Sequence, residues 1–278
     1  MILGAVLAGG QSSRFGSDKA LAELDGRTLL ARAVEALQAQ CDAVVVVGRE
    51  DAPVPTLPDR PRPGMGPLGG IAAALHHAAE AGYDAISAIP PFYYDFSRDE
   101  LKAHYRALGG AVPLPLIVYN FGGRVGRLTN ADLLELLDEP KVIGIKHTSQ
   151  DLYLLERFKR HRPEAVIYNG FDEMCLAGLI MGADGAIGTT YNFMGDLFVR
   201  LAKAFAEGRI AEARALQVVA NRVIDVLIEV GVFPGTKGIL TLMGIDVGIC
   251  REPFRALTDA DRARLADCVA LLRQTAEA

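Results

Sequence analysis

The architecture of this chain hinges on AEAGYDAISAIPPFYYDF, residues 79–96, where a helix runs into a strand in the middle of a longer series. Upstream, GPLGGIAAAL (66–75) leads an alanine-rich helical run that ends in AEAG. Downstream, YDAISAI (83–89) is a short apolar run halted by Pro90 and Pro91, the pattern of a buried strand. On the N-terminal side, ILGAVLA (2–8) and AVVVVG (43–48) are strands of the same kind, with the amphipathic TLLARAVEALQAQ (28–40) between them. On the C-terminal side, LPLIVYN (114–120), KVIGIKH (141–147), EAVIYNG (164–170) and DGAIGTT (184–190) continue the series, separated by helical stretches such as SRDELKAHYRAL and NADLLELL. Serine is the expected helix N-cap in SRDE and in SQDL. Alternating strand and helix predicts an α/β fold of parallel βα repeats with right-handed crossovers. Beyond residue 190 the pattern is helical, over about 195–207, 210–230, 235–244 and 258–275. Residues 53–67, PVPTLPDRPRPGMGP, hold six of the 14 prolines and read as loop, with at most a short strand near VPTLP (54–58). With that strand the count is three plus five, enough for an eight-stranded barrel; without it the five later strands form an open arc.

The chain has 278 residues, 50% of them hydrophobic, which accommodates two domains or a single α/β barrel. A net charge of −5 argues against nucleic acid as a partner. Cys41, Cys175, Cys250 and Cys268 are far apart, as expected of free thiols in a reducing cytoplasm. MILGAVLAGGQSSR has no basic residue ahead of its short apolar run and reads as a strand rather than a signal peptide. No uncharged apolar run is long enough to predict a membrane span. His76 and His77 lie on a predicted helix without metal-ligand spacing, so no metal site is expected there.

LAGGQSSRFGSDKAL (7–21) follows the first strand. Gly9, Gly10 and Gly16 let backbone amides approach a ligand, and Arg14 and Lys19 add positive charge. Such a loop is either a phosphate cradle or a glycine-rich turn with solvated charges. Together with GPLGGIAAAL it resembles the nucleotidyltransferase superfamily, most closely the molybdenum-cofactor guanylyltransferases, over residues 1 to about 80. The resemblance implies a Rossmann-like nucleotide site at Leu7, Ala8, Gly9, Gly10, Arg14, Lys19 and Asp59, taking GTP and Mg²⁺. The family's next strand ends in a magnesium-binding aspartate. Here that strand ends in AISAIPP, and Asp84 sits at its start.

KVIGIKHTSQD puts Lys146 at the carboxyl end of an apolar strand, the edge that carries function in parallel α/β sheets. Partial desolvation there favours a neutral amine able to attack a carbonyl; the alternative is a lysine snorkelling to a salt bridge. Tyr119 ends the preceding strand at the same edge, placed to pass protons to an imine-forming lysine or to serve as a core aromatic with a wet tip. Strand alternation turns His147 to the opposite face.

From YDAISAI to the C-terminus, AIPPFYY, VYN, IGIKHTSQDLY, YNGFDE, GADGAIGTTYN, NRVIDVLIEVGVFPGTKGIL and CREPF resemble the N-acetylneuraminate lyase family of the dihydrodipicolinate synthase superfamily. The resemblance implies a TIM-barrel-like fold and cleavage of a 2-oxo acid to pyruvate and an amino sugar, with no cofactor. It implies Lys146 as the Schiff-base lysine and Tyr119 as the proton relay. Thr148, Gly170, Asp172, Glu173, Thr189, Tyr93 and Tyr94 correspond to substrate-binding positions, Tyr93 and Tyr94 being aromatics near a subunit contact of a homo-oligomer, one of which approaches a neighbour's site.

The family's first three strands are absent, and with them the hydroxyl-bearing loop that grips the pyruvate carboxylate. Each hydrogen bond to that charge is worth about 1.5–3 kcal/mol. The sequence therefore reads as a chimera: a Rossmann-like nucleotide-binding-type segment, 1–82, and a lyase-type segment, 83–278, with C-terminal helices. Schiff-base lyase chemistry leads. Guanylyl transfer and a catalytically inactive assembly of the two folds are the alternatives.

Overall fold

The computed structural model describes residues 3–9, 18–24, 26–38, 41, 43–60, 66–92, 94–122 and 128–277. They divide into two compact units, one of residues 1–86 with 104–116 and one of residues 87–103 with 117–278.

In the first unit, β1 (Leu3–Leu7) is followed by a short antiparallel ribbon, β2 (Glu23–Leu24) with β3 (Arg27–Thr28). Then come α1 (Leu29–Gln38), β4 (Ala43–Val47), β5 (Thr56–Leu57) and α2 (Gly66–Glu80). The strands form a parallel sheet in the order β1-β4-β5. β4 is central, and its valines are buried from both sides, as a run without polar alternation requires. Val44 and Val46 join Leu30 and Val34 of α1, while Val45 and Val47 join Ala73 of α2. One strand thus feeds two helix layers, the Rossmann-like arrangement expected of the N-terminal part. The strand expected near VPTLP forms, as β5.

β6 (Ile86–Ala88) and α3 (Arg98–Ala111) carry the boundary between the units. Next come β7 (Leu116–Phe121), α4 (Asn130–Leu137), β8 (Val142–Thr148), α5 (Leu152–His161), β9 (Val166–Asn169), α6 (Cys175–Ile180) and β10 (Gly185–Ala186). Their sheet runs β10-β9-β8-β7-β6, with β8-β9 and β9-β10 parallel. Consecutive strands lie side by side, each pair joined by a helix, as in the barrel half predicted from residue 83 onward. Among the described residues the sheets have three, five and, in the β2-β3 ribbon, two strands.

Local chemistry explains the helix starts. Ser97 and Glu100 form a reciprocal capping box on α3, and Thr129 and Asp132 form one on α4. The serine of SQDL does not cap α5. Asp151 does, accepting from the Leu154 amide, while Ser149 accepts from the Asp151 amide. A carboxylate nearer the helix takes the orphan amide first.

Four helices complete the second unit: α7 (Tyr191–Ala206), α8 (Ile210–Val230), α9 (Val232–Leu242) and α10 (Asp259–Glu277). Gly231, at a φ of 103°, makes the corner between α8 and α9 that a side chain would resist. Leu201, Leu227, Ile239 and Leu265, one from each helix, are fully or almost fully buried in a shared core. Among the described residues no helix is long and apolar enough to cross a membrane.

Candidate functional site

In the first unit four of the expected nucleotide positions, Leu7, Ala8, Gly9 and Asp59, come together past the carboxyl ends of β1 and β4. A Cβ on Gly9 would lie 2.8 Å from the Gly48 Cα, and one on Gly48 would lie 3.0 Å from Asp59 Oδ1. Asp59 is buried, and a Cβ on Gly70 would meet the Leu7 side chain at 2.8 Å. Two glycines are needed here because the two backbones touch. The Ala8 amide donates to the Val47 carbonyl, carrying the ladder up to that point. Gly10, Arg14 and the Lys19 side chain lie outside what the structure describes. A magnesium clamp does not fit the residues present: β6 ends in Ala88, and Asp84 precedes its first residue. Among the described residues no three His, Cys, Asp or Glu side chains group as metal ligands.

The second unit assembles a denser site. β8 alternates, so Gly144, Lys146 and Thr148 share one face and Ile145 and His147 the other. Lys146 is half-buried, and its Nζ lies 3.8 Å from the centroid of the Tyr119 ring on β7. That ring stacks on Phe121, with centroids 6.0 Å apart and planes 17° from parallel. An ammonium over an aromatic face gains from the ring quadrupole, so the pair is held together before any substrate arrives.

Beyond Lys146, Thr148 is buried with its Oγ1 unpartnered among the described residues. Gly170 closes against it: a Cβ there would fall 1.9 Å from that oxygen. Asp172 is buried in the one-turn 3-10 helix Asp172–Met174, and its Oδ2 accepts from the Thr190 amide at 2.8 Å and the Thr190 hydroxyl at 2.7 Å. Its Oδ1 has no partner among the described residues. Burial raises the Asp172 pKa above the ordinary carboxylate value, against the Thr190 hydrogen bonds and the charge of Lys146. Glu173 is exposed on the same turn, Thr189 is half-buried beside Thr190, and Tyr94 is exposed with its edge on Phe96. Tyr93 lies outside the described residues.

His147 occupies the opposite face, as alternation required. It is fully buried, edge-on to Phe158 at 5.4 Å. Its Nε2–H donates to the Asp151 carbonyl at 2.9 Å, which leaves Nδ1 to accept from the Asn120 amide at 3.0 Å. The ring thereby ties the residue after Tyr119 to the residue after Lys146. Desolvation depresses its pKa below 6.5, against the hydrogen bond and charge of Asp151. The unfolded chain protonates near pH 6.5 and the folded chain only at lower pH, so this contribution is present above 6.5 and lost as pH falls. Thermal melts of wild type should drop more between pH 7 and pH 5 than those of His147→Gln; equal drops would remove His147 as the cause.

Sequence reasoning passes over Thr190, Gly188 and Gln217. The first two stand in DGAIGTT, where the resemblance draws attention to Thr189 alone. Gln217 is a polar residue in the buried stripe of α8, a signal visible in the pattern ALQVVAN.

Parallel βα repeats with a lysine and a tyrosine at one strand edge define a TIM-barrel-like α/β class. The chain belongs to the dihydrodipicolinate synthetase family, whose model matches residues 71–272. Residues 4–89 match the MobA-like NTP transferase domain, so the two family models meet over the stretch around residue 80 and the chain is a chimera of the two. It is 61% identical over 194 residues to N-acetylneuraminate lyase of Rhizobium meliloti, covering 70% of this chain and 65% of that one. It is 44% identical over 207 residues to the enzyme of the same name from Citrobacter koseri, covering 73% and 68%. The chain thus spans about two thirds of the length of these relatives. A solved structure from Clostridium difficile, CdNal in complex with mannosamine, superposes with a TM-score of 0.70 at 25% identity over 97% of each chain.

Proposed function

We propose that this protein is a Schiff-base carbon–carbon lyase acting on a 2-oxo acid such as N-acetylneuraminate, releasing pyruvate and an amino sugar. The observation that carries the proposal is the Lys146 amine held on the Tyr119 ring at the carboxyl ends of adjacent strands. In this reading Lys146 adds to the substrate ketone, and loss of water gives the imine. The proton of the hydroxyl on the β-carbon passes to Tyr119, and the bond between the α- and β-carbons breaks, its electrons flowing to the protonated imine nitrogen as the β-carbon leaves as an aldehyde. The resulting enamine takes up a proton and hydrolysis frees pyruvate. Tyr119 passes the protons. Thr148, Gly170, Asp172, Glu173 and Thr189 face the polyol, and the unpartnered Thr148 Oγ1 and Asp172 Oδ1 support that role. Tyr93 and Tyr94 serve a contact between copies in a homo-oligomer, and the protein works in the cytoplasm. The lyase-type segment, 83–278, needs no metal or organic cofactor for this chemistry.

Incubation with pyruvate and borohydride, followed by peptide mass spectrometry, tests the proposal: a reduced pyruvyl adduct is expected on Lys146, and an unmodified lysine overturns it. Tyr119→Phe keeps the ring under the amine but removes the hydroxyl. It should lower cleavage by about 10²–10⁴-fold while leaving Lys146 open to slower capture. A fall of less than about threefold would take Tyr119 out of the proton path.

The packing of Gly9 and Gly48 on Asp59 favours a second reading, in which segment 1–82 retains nucleotide binding. GTP with Mg²⁺ should then raise the melting temperature. Transfer chemistry is not proposed, because the residues at the end of β6 supply no carboxylate.

A further inference from the structure

We infer that Gln217 and Asn221, two amides on α8, are positioning residues that hold the turn bearing Asp172 and Glu173 and thereby set which polyol aldehyde the site accepts. The inference rests on the lyase reading above.

A one-turn 3-10 helix has weak internal hydrogen bonds and needs outside support to hold one geometry. Phe171, the residue before this one, offers no side-chain cap. Support comes from α8. Gln217 is 8% exposed and accepts from the Leu176 amide at 2.9 Å. Its Nε2 donates to the Asp172 carbonyl at 3.1 Å and to Asn221 Oδ1 at 2.8 Å. Asn221 Nδ2 donates in turn to the Glu173 carbonyl at 3.2 Å.

The orientation of both amides follows from counting donors and acceptors. Only Gln217 Oε1 can take the Leu176 N–H, so its NH₂ faces Asp172 and Asn221. Asn221 must then present Oδ1 to Gln217, which leaves its NH₂ for Glu173. Flipping either amide sets donor against donor. The spacing of four residues puts both on one face of α8. Asp172 is consequently held at two ends, its backbone by Gln217 and its carboxylate by Thr190, while Oδ1 stays unpartnered among the described residues. Gln217 and Asn221 bond to the turn's backbone, so they act through Asp172 and Glu173.

Asn221→Asp keeps the acceptor for Gln217 and loses the donor to Glu173. Gln217→Glu keeps the acceptor for Leu176 and loses both donors. Condensation of pyruvate with N-acetylmannosamine separates the two substrates kinetically. In Asn221→Asp the KM for the amino sugar should rise about five- to tenfold, the range one hydrogen bond supplies. The KM for pyruvate and borohydride capture at Lys146 should stay within about twofold. Gln217→Glu should show the same split, larger. A merely structural role would lower the melting temperature and the active fraction, which reduces turnover without moving either KM. That result, or parallel shifts in both KM values, overturns the inference. Asn221 is half-buried, so its variant still tests the inference should Gln217→Glu fail to fold. Wild type that captures no pyruvate overturns the lyase reading and this inference with it. Capture by wild type together with unselective variants overturns this inference alone.

Discussion

Lys146→Ala should lose all borohydride-stable capture of pyruvate and at least about a thousandfold in lyase turnover, since on the proposed reading Lys146 makes the covalent bond to the substrate. Lys146 is half-buried, and its amine rests on the Tyr119 ring. The variant should therefore fold, with a melting temperature near that of wild type. Its two measurements separate chemistry from stability: adduct mass at the Lys146 peptide, and sialic acid cleavage followed by pyruvate release. Residual capture at another lysine, with turnover within about tenfold of wild type, would move the nucleophile elsewhere.

Gly188→Ala is expected to lower cleavage by at least about a hundredfold, on the scale of a misplacement of about 1 Å in a substrate-positioning group. A Cβ at Gly188 would sit 1.5 Å from Asp172 Oδ1 and 2.4 Å from its Cγ. The carboxylate cannot step aside cheaply, because Oδ2 is tied to the Thr190 amide and hydroxyl and the Asp172 carbonyl to Gln217. Either the turn or the segment after β10 must shift. Overpacking of this kind costs about 1–3 kcal/mol of stability, which a denaturant melt would record. Pyruvate capture at Lys146 should survive, because the clash lies at the side proposed to hold the polyol. Cleavage within a few-fold of wild type would show that Asp172 does not touch the substrate.

The strand-and-helix series, the two resemblances and the joint near residue 80 are all legible from local pattern. Val44–Val47 announce a strand buried on both faces by lacking polar alternation, and α1 and α2 cover it. Lys146 and Tyr119 can each be placed at the end of a strand. The cap of α5 differs from the expected serine, because serine and aspartate compete for one amide and only the backbone path says which is in reach. Thr190 escapes notice for a similar reason: of two adjacent threonines, only one turns its hydroxyl to Asp172.

From the sequence by itself came the α/β class, the order of elements and the face of β8 on which Lys146 stands, since these depend on periodicity along the chain; the role proposed for that lysine came from the family resemblance. Tertiary structure alone decided that the lysine rests on an aromatic ring, that Gly170 and Gly188 must lack side chains, and that α8 holds the turn of Asp172. Those are contacts between residues far apart in the chain. Their distances are set by how packed layers meet, which no local pattern encodes.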